Sequence, residues 1–254
     1  MGIGGGNIRV AAAGDVHADA SRRADLEAAF AGVRGKADLV LLAGDLTTHG
    51  QPEEVQVVAD ASRLAELPVF SVLGNHDWHS NRAAEVIAVM EQAGVTMLDR
   101  SWATIDVRGA GVAIVGTKGF VGGFPGSHLP DFGEPLLREV YAETGKEVAA
   151  IEAGLEATAG CDFQIVLLHY SPTLMTLEGE RPEIAAFLGC DRLAHPIAEH
   201  RPDLVLHGHA HAGRFDGTIG SVPVFNVALP MKREFWVFEL SAERARAPEY
   251  ALVG

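Results

Sequence analysis

The chain has 254 residues, of which 48% are hydrophobic and 21% are charged, a composition that is typical of globular proteins and excludes an intrinsically disordered chain. This length favours one large domain, and no apolar run approaches the ~20 residues that a membrane-spanning helix requires. The formal net charge of −14 argues against duplex nucleic acid as the main partner, because such proteins usually present a basic surface.

The N-terminal residues 1–7 are rich in glycine, and we expect them to be flexible. The chain start lacks the pattern of a secretory signal, since Arg9 and Asp15 interrupt its only apolar stretch, so we expect a cytoplasmic protein. The two cysteines, Cys161 and Cys190, form no C-x-x-C pair, which argues against a sulfur-rich zinc site. We see no linker or internal repeat and therefore expect a single domain over residues 1–254.

The first part of the chain alternates short apolar runs with amphipathic segments. The pattern predicts strands over residues 8–16, 39–43 and 69–73, and helices over residues 21–33, 53–67 and 82–94. Continuous apolar strands that alternate with helices are typical of parallel βαβ units.

The pattern changes after residue 100. Strands predicted over 103–107 and 112–116 flank a turn-like sequence, which indicates a hairpin. A helix is predicted over 136–158 and strands over 164–168 and 204–206, and the strands predicted over 222–227 and 234–240 are expected to form a closing pair. Two β-layers with helices outside both would account for this order of elements.

Side chains with metal-ligating chemistry lie at the ends of five predicted strands. The candidate metal ligands are Asp15, His17, Asp45, Asn75, His169, His209 and His211. Each alone has a simpler interpretation, such as a turn cap or a hydrogen-bonded core histidine. Together they indicate one shared metal site, because ligands in open α/β sheets bind beyond the carboxyl ends of the strands. Oxygen and nitrogen donors without sulfur leave Mn, Fe, Zn, Ni and Co as candidate metals.

The motifs D-x-H, G-D-x-x, G-N-H-D, H and G-H-x-H occur in this order between Gly14 and His211, and this set resembles the calcineurin-like metallophosphoesterases. The resemblance implies an α/β fold, a four-layer α/β/β/α sandwich with two mixed sheets flanked by helices. It also implies two divalent metal ions, with His76 as the catalytic histidine. One metal would be held by Asp15, His17, Asp45 and His211, and the other by Asp45, Asn75, His169 and His209, with Asp45 bridging the two.

The function that this resemblance implies is hydrolysis of a small phosphodiester or phosphomonoester, with nucleotides among the candidates, by attack of a metal-bridging hydroxide. His76 would donate a proton to the leaving oxygen or bind a phosphate oxygen. Thr48 and His49 stand where phosphoprotein phosphatases carry an aspartate and an arginine, which argues against a phosphoprotein substrate. Asp77 is a candidate to orient His76 in place of that aspartate.

Two competing functions remain at this stage. One is a nuclease, which would need an extended positive groove, and the other is a metal-free scaffold that binds protein partners. The glycine- and phenylalanine-containing segment 119–126 is either a mobile loop that stacks a base or closes over the site, or a plain surface excursion. Lys118 and Arg181 are candidates for contacts with substrate phosphate. We expect no membrane partner, and the sequence leaves the oligomeric state open.

Overall fold

The computed structural model describes residues 7–232 and 234–241. The predicted flexible segment 1–7 lies outside the described residues except for Asn7. Among the described residues, no helix is both long and apolar enough to cross a membrane.

The described residues contain thirteen strands and seven α-helices. The strands are β1 Ile8–Ala13, β2 Leu39–Ala43, β3 Val69–Val72, β4 Thr96–Met97, β5 Ser101–Val107, β6 Ala110–Gly116, β7 Gly123–Phe124, β8 Ser127–His128, β9 Phe163–Leu167, β10 Leu204–His207, β11 Asp216–Ile219, β12 Val222–Asn226 and β13 Trp236–Leu240. The helices are α1 Arg23–Ala31, α2 Pro52–Ser62, α3 Ala83–Gln92, α4 Pro135–Ala157, α5 Ala185–Leu188, α6 Ala194–His200 and α7 Leu229–Lys232.

The first sheet has the strand order β13-β1-β2-β3-β4. Strands β1 to β4 run parallel, and β13 pairs antiparallel with β1. All five residues of β2 are buried, as expected for a central parallel strand that is covered on both faces. Helices α1, α2 and α3 cover the outer face, where Phe30, Val58 and Met90 pack in one cluster with Val40 and Leu42 of β2.

The second sheet has the strand order β11-β12-β10-β9-β6-β5. Its four central strands are parallel, and its edge strands β11 and β5 pair antiparallel with their neighbours. Helices α4 and α6 cover its outer face, where Ile151, Leu155 and Ile197 pack with Val166 and Val205.

The inner faces of the two sheets pack against each other. Val10 and Leu41 of the first sheet share one core cluster with Ile114, Ile165 and Leu206 of the second. The architecture is therefore two mixed sheets flanked by helices, and the predicted four-layer α/β/β/α sandwich is confirmed. The burial of both faces of each sheet explains why the central strands appear as uninterrupted apolar runs in the sequence.

The predicted hairpin is confirmed, since β5 and β6 pair antiparallel. Its two-residue turn consists of Arg108 (φ 56°) and Gly109 (φ 83°), the left-handed conformations of a type I′ turn. The predicted closing pair over residues 222–227 and 234–240 is wrong, because β12 pairs with β10 and β11 whereas β13 pairs with β1 in the other sheet. The exposed edge of β1 provides backbone partners for β13 that β12, already paired on both sides, does not.

The carboxyl ends of the parallel strands of both sheets meet at one edge of the sandwich. Backbone hydrogen bonds join the segments that follow them: Gly14 N donates to Val227 O at 2.9 Å, and Asp15 N donates to Gly44 O at 2.9 Å. A side-chain hydrogen bond crosses between the sheets, from His169 Nδ1 to Ala43 O at 2.9 Å. The fold thus brings loops from distant parts of the chain together at this edge.

Candidate metal centre

Four of the seven predicted metal ligands have a left-handed backbone. The φ angles are 56° at Asp15, 43° at His17, 50° at Asp45 and 71° at His209. Neighbouring loops hold two of these residues in place, since His17 N donates to Asp45 O and Asp15 N to Gly44 O, both at 2.9 Å. Left-handed backbone outside glycine is uncommon and clusters at functional sites, where the surrounding structure enforces it.

A first group of ligand atoms forms around Asp15. Its Oδ1 lies 2.8 Å from His211 Nε2 and 4.0 Å from His17 Nε2, and the two histidine nitrogens are 3.4 Å apart. The other oxygen of Asp15, Oδ2, accepts a hydrogen bond from the backbone N–H of His209 at 2.8 Å. One carboxylate and two imidazoles therefore converge on a common point.

A second group forms around His169, whose side chain is fully buried. His169 Nε2 lies 2.9 Å from Asn75 Oδ1 and 3.4 Å from Asp45 Oδ1. Asp15, Asp45, His169 and His209 each offer a ligand atom within 4.8 Å of the others. All seven predicted ligands thus lie in one cluster.

Asp45 lies between the two groups. Its Oδ2 is 3.8 Å from His17 Nε2 in the first group, while its Oδ1 is 3.4 Å from His169 Nε2 in the second. The backbone N–H of His76 donates to the same Oδ1 at 2.8 Å and fixes the carboxylate. The two oxygens of this carboxylate therefore face different groups of ligand atoms, Oδ2 the first group and Oδ1 the second.

Backbone carbonyls orient two of the clustered imidazoles. His169 Nδ1 donates to Ala43 O at 2.9 Å, and His209 Nε2 lies 3.2 Å from Phe187 O. Because a carbonyl only accepts, each bonded nitrogen carries the proton, and the other nitrogen of the ring has a lone pair for a metal. Burial lowers the pKa of His209 to about 3 and that of His17 to about 4, so both imidazoles are neutral, the form that binds metals.

The charges of the cluster also suit divalent cations. Burial raises the pKa of Asp45, with a further contribution from the charge of Asp15, although His169 opposes the shift. Burial would likewise raise the pKa of Asp15, but its hydrogen bond to His211 turns the net shift downward. Two buried carboxylates this close are stable as anions only with compensating positive charge. Oxygen and nitrogen donors from carboxylate, amide and imidazole groups fit hard or borderline divalent metals.

The ring of His76 is oriented by the backbone of Thr48. His76 Nδ1 lies 2.7 Å from Thr48 O, so Nδ1 carries a proton and Nε2 is the nitrogen available for proton transfer. The ring packs edge-on against His17, with ring centroids 4.6 Å apart. His76 Nδ1 thus donates a hydrogen bond to a main-chain oxygen. The sequence could not predict this interaction, because any residue at position 48 would offer the same carbonyl group.

Asp77 does not orient His76, and that expectation is wrong. The carboxylate is buried and accepts hydrogen bonds from Leu46 N at 3.2 Å, Thr47 N at 2.9 Å and Gly74 N at 2.8 Å, and from the Thr47 hydroxyl at 2.7 Å. Adjacent side chains in the 3₁₀ turn His76–Trp78 diverge, so Asp77 points into the protein. Its role in the structure is to join the loop after β2 to the loop after β3.

His207 lies beside the cluster without joining it. Its Nδ1 lies 2.8 Å from Gly208 O, and its Nε2 lies 2.8 Å from the Thr176 hydroxyl. Both ring nitrogens are engaged in hydrogen bonds, and burial lowers its pKa to about 4. The ring therefore braces the backbone that carries His209.

The other side chains singled out in the sequence have different surroundings. Arg181 is exposed and pairs with Glu183, whereas Lys118 is partly buried. Burial lowers the pKa of Lys118 to about 8, against the opposing effect of Glu147. In the segment 119–126, Phe124 is buried and the backbone bonds to the region of α5, whereas Pro125 and Gly126 are exposed.

Glycines allow the loops to approach the carboxylates. A Cβ atom at Gly74 would lie 2.1 Å from Asp45 Oδ1, and one at Gly208 would lie 2.3 Å from Asp15 Oδ2. Contacts under 3.0 Å require the neighbours to move. These glycines are part of the site because a larger residue would displace the oxygens that face the cluster.

Comparisons with known proteins agree with this architecture. A sequence model of the Metallophos family, described as calcineurin-like phosphoesterase, matches residues 8–213. No curated protein matches the chain significantly. Similar solved structures include TT1561 of Thermus thermophilus, with 20% sequence identity, a TM-score of 0.59, and coverage of 95% of this chain and 97% of that chain.

Two further solved structures share the fold. GAP50, the anchor in the inner membrane complex of Plasmodium, has 13% identity and a TM-score of 0.63, and the match covers 96% of this chain and 88% of that chain. A putative 5′-nucleotidase from Staphylococcus aureus has 15% identity and a TM-score of 0.62 over 95% of this chain and 52% of that chain. At these identities the likeness shows the fold alone. Because the family model spans most of the sequence, the chain belongs to the calcineurin-like phosphoesterase family.

Proposed function

We propose that the protein is a dinuclear metal-dependent phosphoesterase that hydrolyses a small phosphomonoester or phosphodiester, with nucleotides among the candidates. Membership of the phosphoesterase family supports the reaction class. The convergence of seven oxygen and nitrogen donors at the carboxyl edge of both sheets supports the metal requirement.

The observation that carries this proposal is the position of the Asp45 carboxylate. Its two oxygens face two different groups of donors, at 3.8 Å from His17 Nε2 and at 3.4 Å from His169 Nε2. A carboxylate in this position suits a bridge between two ions. Asp15, His17, Asp45 and His211 would hold one metal, and Asp45, Asn75, His169 and His209 would hold the other.

When bound, divalent cations at these positions would supply an activated water nucleophile and offset the charge of the phosphate. Asp15 and Asp45 contribute two negative charges, fewer than the positive charges of two such cations. The pocket would then be positive within an acidic protein and would attract an anionic ester.

His76 is the proposed general acid. Its Nδ1 is committed to Thr48 O, so Nε2 is left to give a proton to the leaving oxygen or to bind a phosphate oxygen. Its backbone N–H holds Asp45 Oδ1, so the acid and the bridging carboxylate are fixed relative to each other.

The surroundings of His76 favour a small substrate over a phosphoprotein. His49, which stands where phosphoprotein phosphatases carry an arginine, is exposed and lies 2.8 Å from Glu54. No guanidinium at this position is available to hold the phosphate of a protein substrate.

A metal-free scaffold is the competing function, since an anchor protein shares the fold. The complete donor set supports the hydrolase instead. A nuclease is the second alternative, and the formal charge of −14 weighs against the positive groove that it would require.

The test is a substrate panel with enzyme that has been stripped of metal and then supplied with Mn²⁺. The panel contains 4-nitrophenyl phosphate, bis(4-nitrophenyl) phosphate, nucleoside monophosphates and a single-stranded oligonucleotide, each at several salt concentrations. We expect metal-dependent hydrolysis of small esters with little salt dependence. Activity that is confined to the oligonucleotide and falls steeply with salt would support the nuclease, and an inactive protein that binds no metal would support the scaffold.

A further inference from the structure

Lys118 lies in the segment that anchors the second group of ligands. It follows β6, and its backbone carbonyl accepts hydrogen bonds from the N–H groups of His169 and Tyr170, both at 3.0 Å. The position of this lysine is therefore tied to that of a proposed metal ligand.

A buried carboxylate fixes the segment on both sides of Lys118. Glu147 of α4 accepts hydrogen bonds from the Thr117 hydroxyl and, at 2.9 Å, from Gly119 N. Arg100 holds the same carboxylate, with Nε 2.8 Å from Glu147 Oε1. Because Glu147 holds the Thr117 side chain and the Gly119 backbone, the lysine side chain starts from a rigid base.

The ammonium group of Lys118 has few partners. Nζ donates to the adjacent Gly119 O at 3.0 Å and lies over the rings of Phe120, at 4.1 Å, and Tyr170, at 5.0 Å. Within residues 7–232 and 234–241, its carboxylate neighbours, of which Glu147 has the largest effect, act from beyond ion-pair distance. An ammonium has three N–H donors, so two of them are left for a ligand.

Tyr170 connects this ammonium to the metal centre. Its ring centroid lies 4.7 Å from that of His209 and 5.4 Å from that of His169. Lys118 Nζ and the rings of two proposed ligands thus lie beside the same aromatic ring. One hydrogen bond and two aromatic rings replace only part of the hydration that this partly buried ammonium loses, and an anionic ligand would supply the rest.

We propose that Lys118 is a specificity-determining residue that binds a second anionic group of the substrate, a carboxylate or a further phosphate carried by the leaving group. This inference rests on the proposed phosphoesterase function. The favoured substrate is then a phosphate ester with one negative charge at the metal centre and another beside Phe120 and Tyr170.

The test compares aryl phosphates that differ only in the group opposite the ester. The neutral members are phenyl phosphate and 4-carbamoylphenyl phosphate, and the anionic members are 4-carboxyphenyl phosphate and 1,4-phenylene bisphosphate. We expect wild-type enzyme to show a kcat/KM roughly tenfold higher for an anionic member than for the carbamoyl compound, and Lys118→Gln to abolish this preference. A preference for only the carboxylate or only the bisphosphate identifies the type of second group.

The control is Lys146→Gln, since Lys146 is an exposed lysine that pairs with Glu143. This variant should keep the wild-type preference and the wild-type kcat/KM for phenyl phosphate within about twofold, and all three proteins should bind the same amount of Mn²⁺. Equal anionic-to-neutral ratios in active wild type and Lys118→Gln would overturn the assignment of Lys118 alone. Failure of metal-loaded wild type to hydrolyse any of the esters would overturn the proposed function together with it.

Discussion

The histidines of the site differ in how many ring nitrogens the protein engages. His169 and His76 each have Nδ1 on a backbone carbonyl, which leaves Nε2 for a metal or a proton, whereas both nitrogens of His207 are engaged. The spacing G-H-x-H predicted His209 and His211 as ligands, and the structure brings both to the cluster. The sequence could not show which nitrogen of His169 or His76 is engaged, because the accepting carbonyls of Ala43 and Thr48 belong to residues far along the chain.

At His76, exchange for alanine should lower kcat while leaving metal content unchanged. Loss of a general acid reduces turnover by roughly a hundred- to ten-thousand-fold. His79→Ala is a matched control, because His79 is an exposed histidine three residues along the same loop. Steady-state kinetics and metal analysis on both variants test this role, and unchanged kcat in His76→Ala would show that His76 takes no part in catalysis.

At Gly74, exchange for alanine should weaken metal binding and destabilise the fold. The added Cβ would lie 2.1 Å from Asp45 Oδ1 and 2.3 Å from Asp45 N, and overpacking of this kind costs roughly 1–3 kcal/mol. Gly160→Ala is the control, since its Cβ would meet no atom within 4 Å. Urea unfolding and Mn²⁺ titration provide the measurements. Equal stability and equal metal affinity in the two variants would contradict this explanation.

Among the elements, periodicity predicted the strands and helices of the first βαβ units well, because these strands are buried on both faces and the helices between them pack on one face of the same sheet. It failed for β13, which pairs with β1 rather than with β12. It also missed short elements such as β11 and α6. Strand pairing between distant segments depends on which sheet edge is exposed, and the local pattern of a strand does not contain that information.

The loops after β2 and β3 are joined by Asp77, and exchange of Asp77 for asparagine should therefore lower stability. One oxygen that accepts backbone hydrogen bonds would become an NH₂ group that faces N–H donors, and each lost buried acceptor costs roughly 1–3 kcal/mol. Asp131→Asn is the control, because Asp131 is exposed. Urea unfolding should show a lower midpoint with an unchanged m-value for Asp77→Asn alone. Equal midpoints in the two variants would show that Asp77 does not stabilise the fold by joining these loops.

At the scale of the whole molecule, two sheets with parallel centres direct their carboxyl ends to the same edge. The Gly14 N–H donates a hydrogen bond to Val227 O, and His169 Nδ1 donates one to Ala43 O. These bonds make this edge a continuous surface built from both sheets. The ordered motifs were sufficient to predict both the architecture and the convergence of the ligands. The surroundings of Lys118 could not be predicted, because they depend on the packing of α4 against β6.

We propose that the Asp45 carboxylate bridges two metal ions, and the number of metal ions bound per chain tests this proposal. Wild-type protein and Asp45→Asn are saturated with Mn²⁺, freed of excess metal by gel filtration and analysed by mass spectrometry, with Asp131→Asn as the control. We predict two ions per chain in wild type and in the control, and no more than one in Asp45→Asn. One ion or none in the wild type, or two retained by Asp45→Asn, would contradict a dinuclear centre bridged by Asp45.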